Sequence, residues 1–104
     1  MEKVLIDSFV VPAESRDTFL TQARKIQSFI RTLPGFVEGY IYEHTDGESR
    51  YNFLTTAVWA DEAAFESAKQ AVRAENERQG VNVEEVSARL RVERVRSTYE
   101  RAAY

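Results

Sequence analysis

Two acidic residues occur in stretches of this sequence that have the composition of β-strands, where aspartate and glutamate are uncommon. Asp7 lies in VLIDSFVV and Glu38 lies in FVEGYIYE, and aromatic residues accompany both. Because a carboxylate enclosed by apolar groups becomes a stronger base, both residues are candidates for proton transfer. Each also has a purely structural interpretation. In that interpretation, Asp7 pairs with one of Arg91, Arg94 or Arg96, and Glu38 reaches solvent at a strand end.

The other residue types limit the chemistry further. The single histidine, His44, lies in the polar stretch EHTDG, which is typical of an exposed hairpin tip. The lack of cysteine excludes a thiolate nucleophile and a sulfur-based metal site. The sequence contains neither a glycine-rich phosphate loop nor a His, Asp and Glu cluster with metal-ligand spacing. We therefore expect no metal site and no cofactor held through such a phosphate loop.

The segment from Gly35 to Trp59 is predicted to be a β-hairpin that turns at Asp46-Gly47. With a two-residue turn, Tyr42 lies opposite Tyr51, and paired residues share a face. One predicted face is aromatic with polar groups: Phe36, Glu38, Tyr40, Tyr42, Tyr51, Phe53, Thr55 and Ala57. The other is mostly aliphatic: Val37, Gly39, Ile41, Leu54, Thr56 and Val58.

The rest of the chain supplies two more strands and two main helices. A first strand covers 4–11 and stops at Pro12. Apolar residues at helical spacing then predict a helix over about 14–33. The polar residues of this helix, which include Gln22 and Gln27, are expected to face outward. A second helix is predicted to begin after Asp61 and to end at Gly80. Residues 83–90 can form one or two further helical turns. A last strand over about 92–99 is expected to turn its arginines and glutamates to water.

This order of elements predicts the split βαβ arrangement of a ferredoxin-like fold. The fold class is α+β, a four-stranded antiparallel sheet with both helices on one face, in a single domain over residues 1–104. We expect the helices to cover the aliphatic face, which includes Val4, Ile6 and Val10. The aromatic face, which also carries Leu5, Phe9 and Trp59, is then too large an apolar patch for a monomer. A second copy is the simplest cover, so we predict a homodimer that binds a small hydrophobic molecule.

Bulk composition excludes some partners. A chain of 104 residues with a net charge of −3 lacks the clustered positive charge that nucleic acids require. No run of about 18 apolar residues is present, so a membrane span is not expected. A cytoplasmic location is the default expectation.

The motifs LPGF (33–36) and WADEAAF (59–65), together with the first strand that ends in proline, resemble the antibiotic biosynthesis monooxygenase family of the dimeric α/β barrel superfamily. The resemblance covers roughly residues 4–72. It implies a homodimeric barrel and a cofactor-independent oxygenase of a hydrophobic aromatic, anthrone or quinol-type compound. On this basis Asp7 and Trp59 are the expected catalytic residues. The expected substrate-binding residues are Phe9, Glu38, Tyr40, Tyr51, Phe53 and Thr55.

Three positions depart from the family pattern that this resemblance implies. Thr55 stands four residues before Trp59, where polyketide-tailoring members have an asparagine. Lys69 and Asp7 stand where haem-degrading members have a histidine and an asparagine, which disfavours haem cleavage. The alternative function is a non-catalytic dimeric barrel that binds a small hydrophobic ligand or a protein partner. In that case Trp59 simply fills the end of the barrel.

Overall fold

Four strands form a single antiparallel sheet in the computed structural model, which describes residues 1–103. They are β1 (Lys3–Val10), β2 (Phe36–Glu43), β3 (Phe53–Trp59) and β4 (Glu93–Tyr99), in the order β2-β3-β1-β4. A 3₁₀ turn (Ala13–Ser15) leads into helix α1 (Arg16–Ile30), and α2 (Glu62–Gln79) and α3 (Val83–Leu90) follow β3. The predicted α+β, ferredoxin-like fold is confirmed.

The helix ends follow local capping chemistry. The Asp61 side chain accepts a hydrogen bond from the Ala64 N–H at 2.8 Å, which caps α2, and Gly80 ends that helix in the left-handed region with φ +68°. Asn82 caps α3 in the same way, through the Glu85 N–H at 3.0 Å. Helix α1 ends at Ile30, three residues before the predicted Leu33, because residues 31–35 form turns. No helix within residues 1–103 has the length and apolar character needed to cross a membrane.

The register of the β2–β3 hairpin differs from the prediction. Tyr42 lies opposite Leu54 rather than Tyr51, and a bulge interrupts the pairing between Phe36 and Glu38. The cause is a long loop, 44–52, in place of a two-residue turn. Its last residue, Asn52, binds the end of β1: the side-chain amide donates to Val11 O and accepts from Val11 N, each at 2.8 Å. Strand β3 therefore starts later than expected.

The observed β2–β3 register differs from the predicted one by three residues. Because three is an odd number, the difference reverses the faces of one strand relative to the other. The face that the helices cover, called the helix side, carries Leu5, Asp7 and Phe9 of β1 and Phe53, Thr55, Ala57 and Trp59 of β3. The expectation that the helices cover the aliphatic set was wrong for most of its members, although Gly39 and Ile41 of β2 lie on the helix side as expected. Val4, Ile6, Val10, Leu54 and Val58 lie on the opposite, open side, together with Tyr40, Tyr42, Val95 and Tyr99.

The aromatic residues lie under the helices because their rings fill the space between the helices and the sheet. The ring of Phe19 in α1 packs against Phe9 with centroids 4.8 Å apart, and against Phe53 at 5.1 Å. One core cluster therefore contains Val11, Phe19, Leu20 and Phe53. A second contains Ile30, Ala57, Trp59, Phe65 and Ala68. Neither includes Asp7 or Thr55, which lie between the two clusters along the strands.

Candidate functional site

A cleft lies between the helix side of the sheet and the three helices. It has two adjoining lobes, which we call the Phe lobe, bordered by Phe9 and Phe19, and the Trp lobe, bordered by Trp59 and Phe65. Their cavity volumes are about 200 and 620 Å³. Residues that border both lobes mark where they meet: Asp7, Ile26, Gln27, Thr55, Val72, Asn76, Val81, Val83, Arg94 and Arg96. The cleft therefore occupies the gap between the two core clusters.

Asp7 and Arg96 form an ion pair on the floor of this cleft. They lie opposite each other on β1 and β4, and Asp7 is 7% exposed. Arg96 donates from Nε to Oδ1 at 2.8 Å and from Nη2 to Oδ2 at 2.9 Å. These hydrogen bonds to Asp7 raise the pKa of Arg96, while partial burial opposes the shift. Both carboxylate oxygens are thus oriented by a guanidinium, the planar group that matches a carboxylate best.

Thr55 supplies the second polar side chain of the floor. It lies opposite Asp7 in the pairing of β1 with β3, so both side chains are on the helix side. Above this part of the sheet, Gln27 of α1 donates from Nε2 to Thr56 O at 3.2 Å. Gln27 Oε1 is buried and accepts no hydrogen bond within residues 1–103. Gln27 was expected to face outward, but its length lets it reach across to the sheet.

The walls of the Phe lobe are mainly apolar, whereas the Trp lobe is lined about equally by polar and apolar groups. Phe29 and Leu90 border the Phe lobe, while Ile30 and Ala68 border the Trp lobe. Val83, Val86 and Leu90 recur along α3 at helical spacing and face the Phe lobe. The hydroxyl of Ser15 donates to Leu90 O at 2.8 Å and so fixes the C-terminal end of α3 next to the start of α1. Such a lining suits a flat hydrophobic ligand that has a few polar groups.

The structure brings four of the eight predicted site residues to the cleft. Asp7 and Thr55 border both lobes, Phe9 borders the Phe lobe and Trp59 the Trp lobe. Trp59 is 2% exposed, and its ring meets that of Phe36 edge-on with centroids 5.4 Å apart. Its placement fits a packing role as well as a wall of the cleft.

The other four predicted residues lie elsewhere. Glu38 and Tyr40 pair with Val58 and Thr56 of β3, so they lie on the open side of the sheet. Tyr51 lies in the loop beside Arg50, whose guanidinium is 5.2 Å from the Tyr51 ring centroid. Phe53 is on the helix side but is buried in a core cluster beneath α1, away from both lobes. The register shift explains why the predicted aromatic face was divided in this way.

Several residues that border the cleft were not expected there. Arg94 and Arg96 are exposed, as predicted, but the pairing of β4 with β1 also places them opposite Phe9 and Asp7 on the helix side, beside the cleft. Their alternation with Val95 and Ser97 was the signal that could have shown this. The expected ion pair of Asp7 with a late arginine is present, and Arg96 forms it. Asn76 of α2 also borders both lobes, and nothing in its helical spacing indicated a polar role.

The cleft lacks the groups that would bind haem iron through a histidine. The position ten residues after Trp59 is Lys69, which pairs with Glu66 at 3.0 Å and lies 4.9 Å from the Phe65 ring centroid. His44 is in the β2–β3 loop, and its exposed setting agrees with the expectation from the sequence. Within residues 1–103, no group of three or more His, Cys, Asp or Glu residues is arranged to bind a metal ion.

The model of the antibiotic biosynthesis monooxygenase family matches residues 4–77. The chain therefore belongs to this family, and the resemblance found in the sequence is confirmed. The matched region includes Asp7, Thr55 and Trp59 as well as helix α1 and most of α2. Comparison with curated proteins gives no significant match.

Solved structures with the same fold include proteins of different described activities. Rv0793 from Mycobacterium tuberculosis has a TM-score of 0.75 at 13% identity, over 100% of this chain and 98% of its own. SnoaB, a cofactor-independent oxygenase from Streptomyces nogalater, has a TM-score of 0.68 at 18% identity, with coverage of 99% and 95%. The haem-degrading protein Rv3592 from M. tuberculosis has a TM-score of 0.59 at 20% identity, with coverage of 66% and 78%. At these identities the likeness establishes the fold.

Proposed function

We propose that the protein is a cofactor-independent monooxygenase that oxidises a hydrophobic aromatic compound of the anthrone or quinol type. The observation that carries the proposal is the cleft itself, where Asp7 and Thr55 lie on a polar floor beside the mainly apolar walls of the Phe lobe. Family membership supports an oxygenase, and the likeness to SnoaB supports one that needs no cofactor. The lack of a histidine near Trp59 argues against haem as the substrate.

The chemistry asks little of the protein beyond binding, proton uptake and exclusion of water. A deprotonated phenol or anthrone is electron-rich enough to transfer an electron to O₂. For an anthrone, the ring methylene loses two hydrogens and gains one oxygen atom, and the second oxygen atom leaves as water with those hydrogens. In our proposal Asp7 takes up the substrate proton, Thr55 donates a hydrogen bond to a substrate oxygen, and Trp59 forms the wall against the ring.

Oxygen uptake over a panel of anthrones and quinols tests this proposal. We expect Asp7→Asn to lower the rate about a hundredfold, in the range for loss of a general base. Trp59→Phe, which keeps an aromatic core residue, should raise KM, because a smaller ring contacts the substrate less. The matched control is Glu48→Gln, which removes a carboxylate from the exposed β2–β3 loop. Circular dichroism establishes that each variant is folded.

The second candidate function is a non-catalytic barrel that binds a small hydrophobic ligand or a protein partner. Two observations favour it: both oxygens of Asp7 are occupied by Arg96, and a threonine stands at the position of the family's asparagine. If Asp7→Asn and Trp59→Phe leave oxygen uptake at the wild-type level over the whole panel, the oxygenase proposal fails. Ligand binding without oxygen uptake would then support the binding function.

We further propose that the protein works as a homodimer, as the family resemblance implies. The open side of the sheet supports this, since Tyr40, Tyr42, Val95 and Tyr99 are each about half exposed there. The surface of the predicted dimer is therefore different from the one expected from the sequence. It is formed by aliphatic residues and tyrosines, and it lies on the opposite side of the sheet from the cleft. A cytoplasmic location stays a prediction.

A further inference from the structure

We infer that the substrate carries a carboxylate and that Arg94 binds it. This inference rests on the proposed function, because it concerns the ligand of the same cleft. Arg94 borders both lobes from β4. It forms no ion pair with any of residues 1–103, and its side chain donates no hydrogen bond within them. Arg94 is exposed, so a guanidinium without an ion-pair partner within residues 1–103 is available to a ligand where the two lobes meet.

The other cations around the cleft are differently placed. Arg96 is neutralised by Asp7, and Lys69 is neutralised by Glu66. Lys25 borders only the Phe lobe. Arg73 borders only the Trp lobe. Arg94 is therefore the cation common to both lobes that forms no ion pair within residues 1–103.

The position of Arg94 on the strand defines the shape of the ligand. It is two residues from Arg96, so both side chains lie on the helix side about 7 Å apart along the strand. When the ligand carboxylate is bound to Arg94, the ring system of the ligand covers Phe9 and Val83. The same rings then reach Asp7 and Thr55. A guanidinium binds a carboxylate through two parallel hydrogen bonds, so it fixes orientation as well as charge. Arg94 thereby determines which part of the ring faces Asp7.

The experiment measures equilibrium binding of two matched, redox-stable probes, anthraquinone-2-carboxylate and anthraquinone-2-carboxamide, by calorimetry on the full chain. We expect the wild type to bind the carboxylate about tenfold more tightly, a preference typical of one charged hydrogen-bonding partner. Arg94→Gln should abolish the preference and leave carboxamide binding unchanged. Arg94→Lys should restore part of it. The control Arg24→Gln removes the same charge from the exposed surface of α1 and should retain the preference.

Three outcomes overturn the inference: equal wild-type affinity for the two probes, no binding of either probe, or the same loss in Arg24→Gln as in Arg94→Gln. The last would show an effect of overall charge. The oxygenase proposal is tested separately, because oxygen uptake with neutral quinols does not require the carboxylate. A protein that oxidises neutral quinols and binds both probes equally would retain the proposed function and disprove the role of Arg94.

Discussion

Asp7 and Arg96 are unequally buried partners of one ion pair. Asp7 is 7% exposed on the central strand β1, whereas the Arg96 side chain on the edge strand β4 is 46% exposed. A buried carboxylate that loses its partner pays the full cost of desolvation, but a half-exposed guanidinium can be rehydrated. The two halves of the pair should therefore differ in their effect on stability, although they share the same hydrogen bonds.

The first prediction concerns this asymmetry. Arg96→Gln leaves Asp7 buried without its charged partner and should lower the free energy of unfolding by about 3 kcal/mol. Asp7→Asn leaves Arg96 free to turn to water and should cost about 1.5 kcal/mol. Urea unfolding measures both. The control Arg50→Gln breaks the exposed Arg50–Glu93 pair, at 2.8 Å, and should have no measurable effect. Equal losses in the two cleft variants would contradict the prediction.

The second prediction concerns the pKa of Glu43 at the end of β2. Arg16 donates to it from Nε at 3.0 Å and from Nη2 at 2.7 Å, and these hydrogen bonds lower the pKa of Glu43 below its ordinary value of 4.5. Because the folded-state pKa is lowered, the ion pair stabilises the protein above the unfolded-state pKa. That contribution is lost as pH falls through the folded-state pKa.

Carbon-13 NMR titration should therefore show Glu43 titrating below 4.5, and Arg16→Gln should raise its pKa towards that value. The matched control is Asp17→Asn, which removes the other carboxylate beside Arg16, at 3.4 Å, and leaves the Glu43 contact intact. In this variant the pKa of Glu43 should stay low. An unchanged pKa in Arg16→Gln would show that the ion pair is not maintained in solution.

The third prediction compares two glycines in the left-handed region. Gly35 has φ +81° and Gly47 has φ +86°, so alanine is strained at either position. A Cβ at Gly35 would also overlap the Cβ of Ala64, while one at Gly47 has nothing within 4 Å. Gly47→Ala should cost about 1 kcal/mol and Gly35→Ala at least about 3 kcal/mol. The double variant Gly35→Ala, Ala64→Gly should recover part of the stability that Gly35→Ala loses, as measured by thermal unfolding. If stability is not recovered, the overlap with Ala64 is not the cause of the loss.

The fourth prediction tests the proposed dimer. Val95 is 48% exposed on the open side, so Val95→Glu should not disturb the fold of one subunit. In a dimer formed through that side, the substitution would bury two charges, one from each subunit, and would therefore destabilise the dimer. In light scattering we expect the variant at 12.0 kDa and the wild type at twice that mass. Ala74→Glu, on the exposed surface of α2, is the control and should stay dimeric. A monomeric wild type at micromolar concentration would disprove the dimer.

Local chemistry in the sequence was sufficient to predict the elements and their order. Asp61 and Gly80 mark the two ends of α2, because a carboxylate caps free N–H groups and glycine accepts a positive φ. Both effects act within a few residues. The pattern of strands and helices then restricts the topology to very few alternatives, and the observed sheet order is one that the pattern predicts. Asp7 was recognised as unusual because aspartate is rare in strands, and an ion pair with a late arginine was foreseen.

The faces of the sheet were decided only by the tertiary structure. Strand side chains alternate with a period of two, so one register shift at the β2–β3 loop exchanges the core for the exposed surface. At the end of that loop the side-chain amide of Asn52 binds Val11, a residue 41 positions away in the chain. The cleft depends in the same way on pairings between distant strands, which place Asp7 beside Thr55 and Arg96. The sequence determined which residues were available for chemistry, and long-range hydrogen bonds decided which of them meet.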